Sequence, residues 1–189
     1  MTNQKHLWSA ARIAALLLFL PAAGFGGEPA AKDNFPQPIT DARSMLDRCG
    51  VDAGQLNRLL DGRPIGDDET EPLLRVLFAL RKFDLVDLER HWARKDLDLK
   101  ELVEQSDFLR GQAFAVEGQV AEIKPAQPLP EVVERFELPR YYRCDFVLKE
   151  NQQPAAVWVE TVPKAWQKGG RIDARAGFCG LFMKLCSED

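Results

Sequence analysis

The sequence predicts an α+β fold in which an N-terminal helical unit is followed by a small antiparallel β-barrel. Apolar side chains recur at helical spacing through residues 39–110. Through residues 111–189 the pattern changes to alternating apolar and polar residues, rich in aromatic and β-branched side chains. The 189 residues leave room for one ordinary domain and a smaller helical unit.

The first residues have the three-part order of a secretory signal peptide. Lys5 and Arg12 precede an apolar run at residues 13–20, and Pro21 and small residues follow it. The uncharged stretch is about 15 residues long, whereas a membrane-spanning helix needs about 20. We therefore predict a signal peptide at residues 1–24 and a periplasmic or extracellular protein with no membrane span in the mature chain.

Residues 25–38 are rich in glycine, proline, alanine and charge, which predicts a disordered lead-in before the fold.

The charge balance limits the partners of the exported protein. The formal net charge is −4, and loss of Lys5 and Arg12 with the leader makes it about −6. An acidic exported chain has no general attraction for nucleic acid or for an anionic membrane surface, so both are unfavoured partners.

Helix-capping signals divide residues 39–110 into several short helices. The residues suited to helix ends are Gly50, Gly62, Thr70 or Asp68, Asp84 and Asp98. Glu101 stands three residues after Asp98, which is the spacing of a capping box. The apolar stripes are expected from Met45, Leu46, Cys49, Leu56, Leu59, Leu60, Leu73, Val76, Leu77, Leu80, Phe83, Leu88, Trp92, Leu99, Leu102, Val103 and Leu109. Because isolated helices of this length are marginal in water, these stripes must pack on one another or on the sheet.

Strand patterns fill the remainder of the chain, with one helical turn before the last run. The three alternating runs are residues 112–123, 141–148 and 155–162. The helical turn is at residues 163–167, and the final run is residues 171–186. Gly118 interrupts the first run as a bulge or bend does.

Three short motifs of this segment match a known fold. They are Val116, Gly118 and Val120 in the first run, the turn at residues 162–166, and the glycine-containing close at residues 177–184. With these motifs residues 111–186 resemble the OB-fold superfamily and, more loosely, exported bacterial proteins of unknown function built on OB-like modules. The resemblance implies a small OB-like barrel and carries over no catalytic residue.

The last run admits two arrangements. If residues 171–186 form one long bulged strand, the barrel has four strands and is incompletely closed. If Cys179 and Gly180 mark a turn, the two halves are the fourth and fifth strands of a closed barrel. Gly177 and Gly180 suit both a bulge and a turn.

The sequence offers no clear pattern for catalysis or metal binding. After the leader the chain has the single histidine His91, and no nucleophile motif accompanies it. The cysteines Cys49, Cys144, Cys179 and Cys186 lack the paired spacing of zinc ligands. The acidic residues at 67–71 lack EF-hand spacing and are interpreted as a solvated loop before a helix. We expect no metal, no cofactor and no catalytic residue, although an envelope enzyme of unknown reaction stays an alternative.

Aromatic and basic residues of the second and third strands are the candidate ligand site. If the even-numbered residues from Tyr142 to Leu148 face inward, alternation turns Tyr141, Arg143 and Asp145 outward, and Trp158 likewise on the next strand. OB-type barrels bind oligosaccharides or oligonucleotides on this face with aromatic platforms. The competing interpretation is that the helical unit covers Tyr141 and Trp158, because large exposed apolar patches are uncommon.

Four cysteines in an exported chain favour a disulfide. Cys144 and Cys179 can both point into the barrel and meet across it, so they are the predicted pair. The alternative is that all four remain free, with buried thiols acting as small apolar residues. A Cys179–Cys186 link is excluded if the strand between them is continuous, because their separation is then about 23 Å.

The sequence therefore favours a non-catalytic binding or assembly module of the bacterial cell envelope. Its expected partner is an envelope protein or an oligosaccharide. A protein that binds oligosaccharide or peptide through Tyr141, Arg143 and Trp158 is the closest alternative.

Overall fold

The computed structural model describes residues 39–186, an α+β fold in which helices precede a four-stranded antiparallel sheet. The predicted leader and lead-in lie outside the described residues. Within the described range, no helix has the length and apolar character needed to cross a membrane.

Short helices fill most of the first part of the described chain. They are α1 Ala42–Arg48, α2 Ala53–Leu56, α3 Asp67–Ala79, α4 Leu85–Asp87, α5 Leu99–Glu104, α6 Ser106–Leu109 and, later in the chain, α7 Pro130–Phe136. A 3-10 turn at Leu80–Lys82 extends α3, and a π-helical turn at Leu88–Trp92 extends α4. The 3-10 turn at Lys164–Trp166 is the helical turn that the sequence predicted before the last strand.

Aspartates cap several of these helices, because their carboxylates accept otherwise unpaired N–H groups of the first turn. Asp84 accepts from the N–H groups of Val86 and Asp87, and Asp98 accepts from that of Lys100, as predicted. Glu101 does not complete a capping box, since its carboxylate binds Arg94 instead. Two apolar predictions are wrong, because Leu60 and Val103 are exposed. The other predicted residues are buried or, as for Met45, Cys49, Trp92 and Leu99, partly buried.

Helix α3 begins earlier than the sequence predicted. Its N-cap is Gly66, so the expectation of a cap at Thr70 or Asp68 is wrong. Glu69 makes the difference, since its carboxylate accepts from the N–H groups of Leu60 at 2.6 Å and Gly66 at 3.3 Å. Its side chain is 0% exposed, so the acidic cluster is a helix start with one buried member and not a solvated loop.

The sheet has the strand order β3-β2-β1-β4 and does not close into a barrel. Its strands are β1 Ala113–Ala126, β2 Tyr141–Leu148, β3 Pro154–Val159 and β4 Gly170–Leu181. The last run is therefore one strand with no turn at Cys179 and Gly180, although it ends at Leu181 and not at Cys186, and the described chain contains no fifth strand. Of the two predicted arrangements, the open four-stranded one is confirmed.

Strand β1 is one of the two inner strands of the sheet, and it pairs with β2 on one side and β4 on the other. The irregularity in its pairing falls between Val120 and Glu122, and not at Gly118 as predicted. Gly118 has another role. A Cβ atom there would lie 2.1 Å from the carbonyl oxygen of Val147, so the close approach of β2 requires glycine.

Two large apolar cores lie around the sheet, and a third, small one is formed by Leu102, Leu109 and Phe114. The strand-side core holds the inward residues of β2 that alternation predicted, Tyr142, Cys144, Phe146 and Leu148, together with Val120, Ile123, Val157, Val159, Val162 and Phe178. The helix-side core is built mainly from α1, α3 and their connections, and it also contains Phe136, Leu138, Leu181 and Met183. The helical unit and the sheet are thus packed on each other.

Two buried cations, Lys184 and Arg110, bind the segment after β4 to the helical unit. Lys184 Nζ donates to Glu69 Oε2 at 2.7 Å, and both side chains are almost fully buried. Arg110 donates to the carbonyl oxygens of Leu59 and Met183 and to the Asp61 carboxylate. These contacts hold the segment after β4 against the helical unit, although the two are far apart in the sequence.

Candidate functional site

Arg143 and Trp158 lie side by side on the outer face of the sheet. They are direct partners across the β2–β3 pair, and the Arg143 guanidinium lies over the Trp158 ring, 5.7 Å from its centroid. Tyr141 lies two residues before Arg143 and therefore on the same face. The structure brings together the three predicted residues, and we call Tyr141, Arg143 and Trp158 the Trp158 ledge.

Asp145 orients the guanidinium of the ledge. Arg143 Nε donates to Asp145 Oδ1 at 2.8 Å, and Lys124 Nζ donates to Asp145 Oδ2 at 2.6 Å. Hydrogen bonds from Lys124 to Asp145 and Glu122 raise the pKa of the lysine. The Arg143 side chain is 48% exposed, and its two terminal nitrogens make no hydrogen bond within the described residues. Arg143 therefore presents free donors from a fixed position.

The helical unit covers part of the ledge. Tyr141 and Trp158 are half-buried and pack against the helix-side core, and burial raises the pKa of the Tyr141 hydroxyl. Just past β3, Glu160 binds Arg81 at 2.5 Å, and Arg81 also donates to the carbonyl oxygens of Phe136 and Glu137. The site is thus a narrow surface beside the helices. It is neither the fully exposed platform nor the fully covered surface that the sequence analysis offered as alternatives.

The chemistry of the ledge suits recognition more than reaction. A guanidinium held over an indole ring forms a cation–π contact and still offers planar donors to a carboxylate or to hydroxyl groups. The half-exposed edges of Trp158 and Tyr141 offer apolar surface next to those donors. Such a combination orients a ligand and needs no nucleophile, base or metal.

The predicted cysteine pair is not brought together. Cys144 pairs with Ile123 of β1 and lies in the strand-side core, whereas Cys179 pairs with Ala115 and packs against the helix-side core. Ile123 and Ala115 are eight residues apart on β1, about 26 Å. All four cysteines carry free thiols, and burial raises the pKa of Cys144 to about 12 and that of Cys179 to about 11.

The described residues place no metal-ligand cluster at the Trp158 ledge. Within residues 39–186 no group of three His, Cys, Asp or Glu side chains is placed to hold a metal ion, and His91 is exposed. A shallow cleft of about 430 Å³ lies elsewhere and is lined by Asp96, Leu97, Asp98, Leu99, Glu150 and Asn151.

Two members of the site escaped sequence reasoning. Alternation placed Asp145 on the outer face with Arg143, but it gave no reason to assign it an orienting role. Lys124 joins the site only through the β1–β2 register, which pairs it with Arg143. That register depends on the connection containing α7, which was not predicted.

No family model, curated protein or solved structure matches the chain. The function proposed below therefore rests on the contacts made by this chain's own residues.

Proposed function

We propose that this chain is an exported, non-catalytic binding or assembly module of the bacterial cell envelope, built on an OB-like sheet. The order of charged, apolar and small residues in the leader supports export. The Trp158 ledge supports binding, and its ligand is an envelope oligosaccharide or peptide that bears a carboxylate.

One observation carries the proposal, namely the fixed and partly exposed guanidinium of Arg143. Asp145 and the Trp158 ring hold it in place, so little side-chain freedom is lost when a ligand binds. A carboxylate would occupy the free terminal donors, and a sugar ring or an apolar side chain would cover the adjacent indole edge.

NMR titration of ¹⁵N-labelled protein tests this proposal, with muramidase-released peptidoglycan fragments as the probe because they contain both sugars and carboxylates. We expect shifts confined to β2, β3 and the Trp158 indole. Arg143→Ala should weaken binding at least about tenfold, as loss of a charge-assisted hydrogen bond requires.

Arg140→Ala is the matched control, because Arg140 is an exposed arginine close by in the chain that makes no ion pair within the described residues. It should bind like the unaltered protein. Absence of shifts at millimolar fragment, or equal binding by Arg143→Ala, would contradict the ledge as the site.

A further inference from the structure

The outer edge of β4 is open along part of its length. Among the described strands β4 pairs only with β1, so it is one of the two sheet edges. Its end from residue 178 to residue 181 is largely buried, whereas residues 170–177 are exposed or half-exposed. An exposed edge strand presents unpaired N–H and C=O groups that another extended chain can use.

This edge carries unpaired positive charge. Lys164 and Lys168 lie in the turn before β4, Arg171 and Arg175 lie on the strand, and all four are exposed. None of the four makes an ion pair or a side-chain hydrogen bond within residues 39–186. The concentration of free cations contrasts with the acidic chain, whose net charge is −4.

Acidic neighbours offset only part of the positive charge of the edge. Asp173 adds one carboxylate, which keeps its charge because its donor, the Gln119 amide, is neutral. Glu122, which faces Arg171 across the sheet, forms an ion pair with Lys124. The edge therefore keeps an excess of positive charge that favours an anionic partner.

The pleat of β4 defines what an added strand must look like. Arg171 and Arg175 pair with Glu122 and Gln119 and so lie on the outer face. Ile172 and Ala176 point the other way and are half-buried against the strand-side core. Because side chains of a strand alternate between faces, an added strand would place one row beside the arginines and the other beside the apolar residues.

Asp173 limits the length of regular pairing. Its φ is +53°, and the β1–β4 register shifts next to it, as in a bulge. Regular backbone edge thus remains mainly at residues 174–177, with a shorter piece at residues 170–171. Charges and bulges commonly protect edge strands. Here the exposed cations also oppose pairing of β4 with a second copy of itself, because arginine would approach arginine.

We propose that the β4 edge binds, by strand addition, an extended peptide segment of a partner protein in which acidic and apolar residues alternate. The acidic row contacts Arg171 and Arg175, the apolar row covers Ile172 and Ala176, and backbone hydrogen bonds form along residues 174–177. Because β4 and β3 are opposite edges of the sheet, binding at this edge does not depend on binding at the Trp158 ledge, and the two proposals can be tested separately.

Fluorescence anisotropy with a labelled octapeptide of alternating valine and glutamate tests the proposal. We expect saturable binding that Arg171→Ala/Arg175→Ala weakens at least about tenfold. Lys82→Ala/Lys95→Ala removes two exposed cations of the helical unit and should leave binding unchanged. Circular dichroism of each variant verifies that the fold is retained.

Two further probes separate strand addition from simple charge attraction. An octapeptide of the same sequence with alternate backbone N-methyl groups cannot pair as a strand and should lose binding, and a valine–lysine octapeptide should not bind. Equal binding of the N-methylated peptide, or of dextran sulfate with the same dependence on the arginines, would overturn strand addition in favour of a polyanion site. No binding of the unmodified peptide at about 1 mM would overturn the proposal altogether.

Discussion

Glu69 and Lys184 form the most deeply buried ion pair of the described chain. Their side chains are 0% and 2% exposed, and the Lys184 ammonium also approaches the Pro64 carbonyl oxygen. Glu69 additionally accepts the N–H groups of Leu60 and Gly66. Buried charges are tolerated only when nearly all their hydrogen-bonding positions are used, and Glu69 meets that condition.

Replacement of Lys184 by methionine should destabilise the protein by about 3 kcal/mol, because a buried carboxylate would lose its main counter-charge. Lys100→Met is the control, since Lys100 pairs with Glu104 at 3.8 Å on the surface. It should change the free energy of unfolding by less than about 0.5 kcal/mol. Urea denaturation at neutral pH measures both, and equal small effects would show that Lys184 is not buried as described.

The same pair gives a pH dependence with a defined sign. Burial raises the pKa of Glu69, but hydrogen bonds from Lys184, Leu60 and Gly66 outweigh this effect and hold the pKa below its ordinary value of 4.5. Because the folded pKa is the lower one, the stabilisation is present above about pH 4.5 and is lost as pH falls through the folded value.

Glu69→Gln should therefore be less stable at pH 7 and should lose less stability than the unaltered protein between pH 5 and pH 2. Glu150→Gln serves as the control, because Glu150 is exposed and makes no ion pair within the described residues, and it should barely change the slope. Parallel urea titrations across that range provide the measurement. An unchanged slope in Glu69→Gln would contradict the depressed pKa.

The sequence predicted the orientation of individual residues where local alternation determines it, and failed where contacts with distant residues determine burial. The side of the sheet on which Tyr141, Arg143 and Trp158 lie follows from the period of two along each strand. The burial of Glu69 depends on Lys184, which is 115 positions away. Local patterns carry no information about such a partner, so an acidic cluster was interpreted as solvated.

Strand β1 is the longest strand of the sheet and one of its two inner strands, since it pairs with both β2 and β4. Gly118 lies opposite Leu148 on β2 and Ala176 on β4. A Cβ at this position would meet the Val147 carbonyl oxygen at 2.1 Å and the Phe146 ring at 2.7 Å. Both neighbours belong to the well-packed β2 strand and have little freedom to move.

We expect Gly118→Ala to destabilise the protein by about 2 to 3 kcal/mol through this overlap. Gly177→Ala on β4 is the matched change, because the nearest atom to its added Cβ is 3.9 Å away. It should cost less than about 0.5 kcal/mol. Thermal unfolding of the two variants distinguishes them, and similar melting temperatures would argue against the tight β1–β2 approach.

Elements were predicted well when their own sequence was sufficient. The bounds of β2 agree with the prediction, and the 3-10 turn before β4 was found from its position between a proline and two glycines. Helix α7 was missed, because Pro130–Phe136 is short and interrupts a segment dominated by strand patterns. The start of α3 was misplaced because its cap uses a carboxylate inside the helix and not a capping side chain before it.

The whole molecule combines a helical unit with an open sheet, and its last described residues connect the two. Gly62 donates its N–H to the Leu185 carbonyl oxygen, and Leu185 donates to Asp61, next to the buried contacts of Lys184 and Arg110. The sequence left the number of strands undecided because glycines 177 and 180 suit two backbone paths. The pairing of β1 with a continuous β4 decides between them.

Amide hydrogen–deuterium exchange along β4 tests most directly whether the sheet is open and available for binding. Alternate amides of residues 170–177 should exchange at least about tenfold faster than the central amides of β1, because their N–H groups point to solvent at an edge. Amides of residues 178–181, beneath the helical unit, should be protected. Uniform protection of residues 170–177 at the level of β1 would mean that this edge is covered, and it would contradict the open sheet.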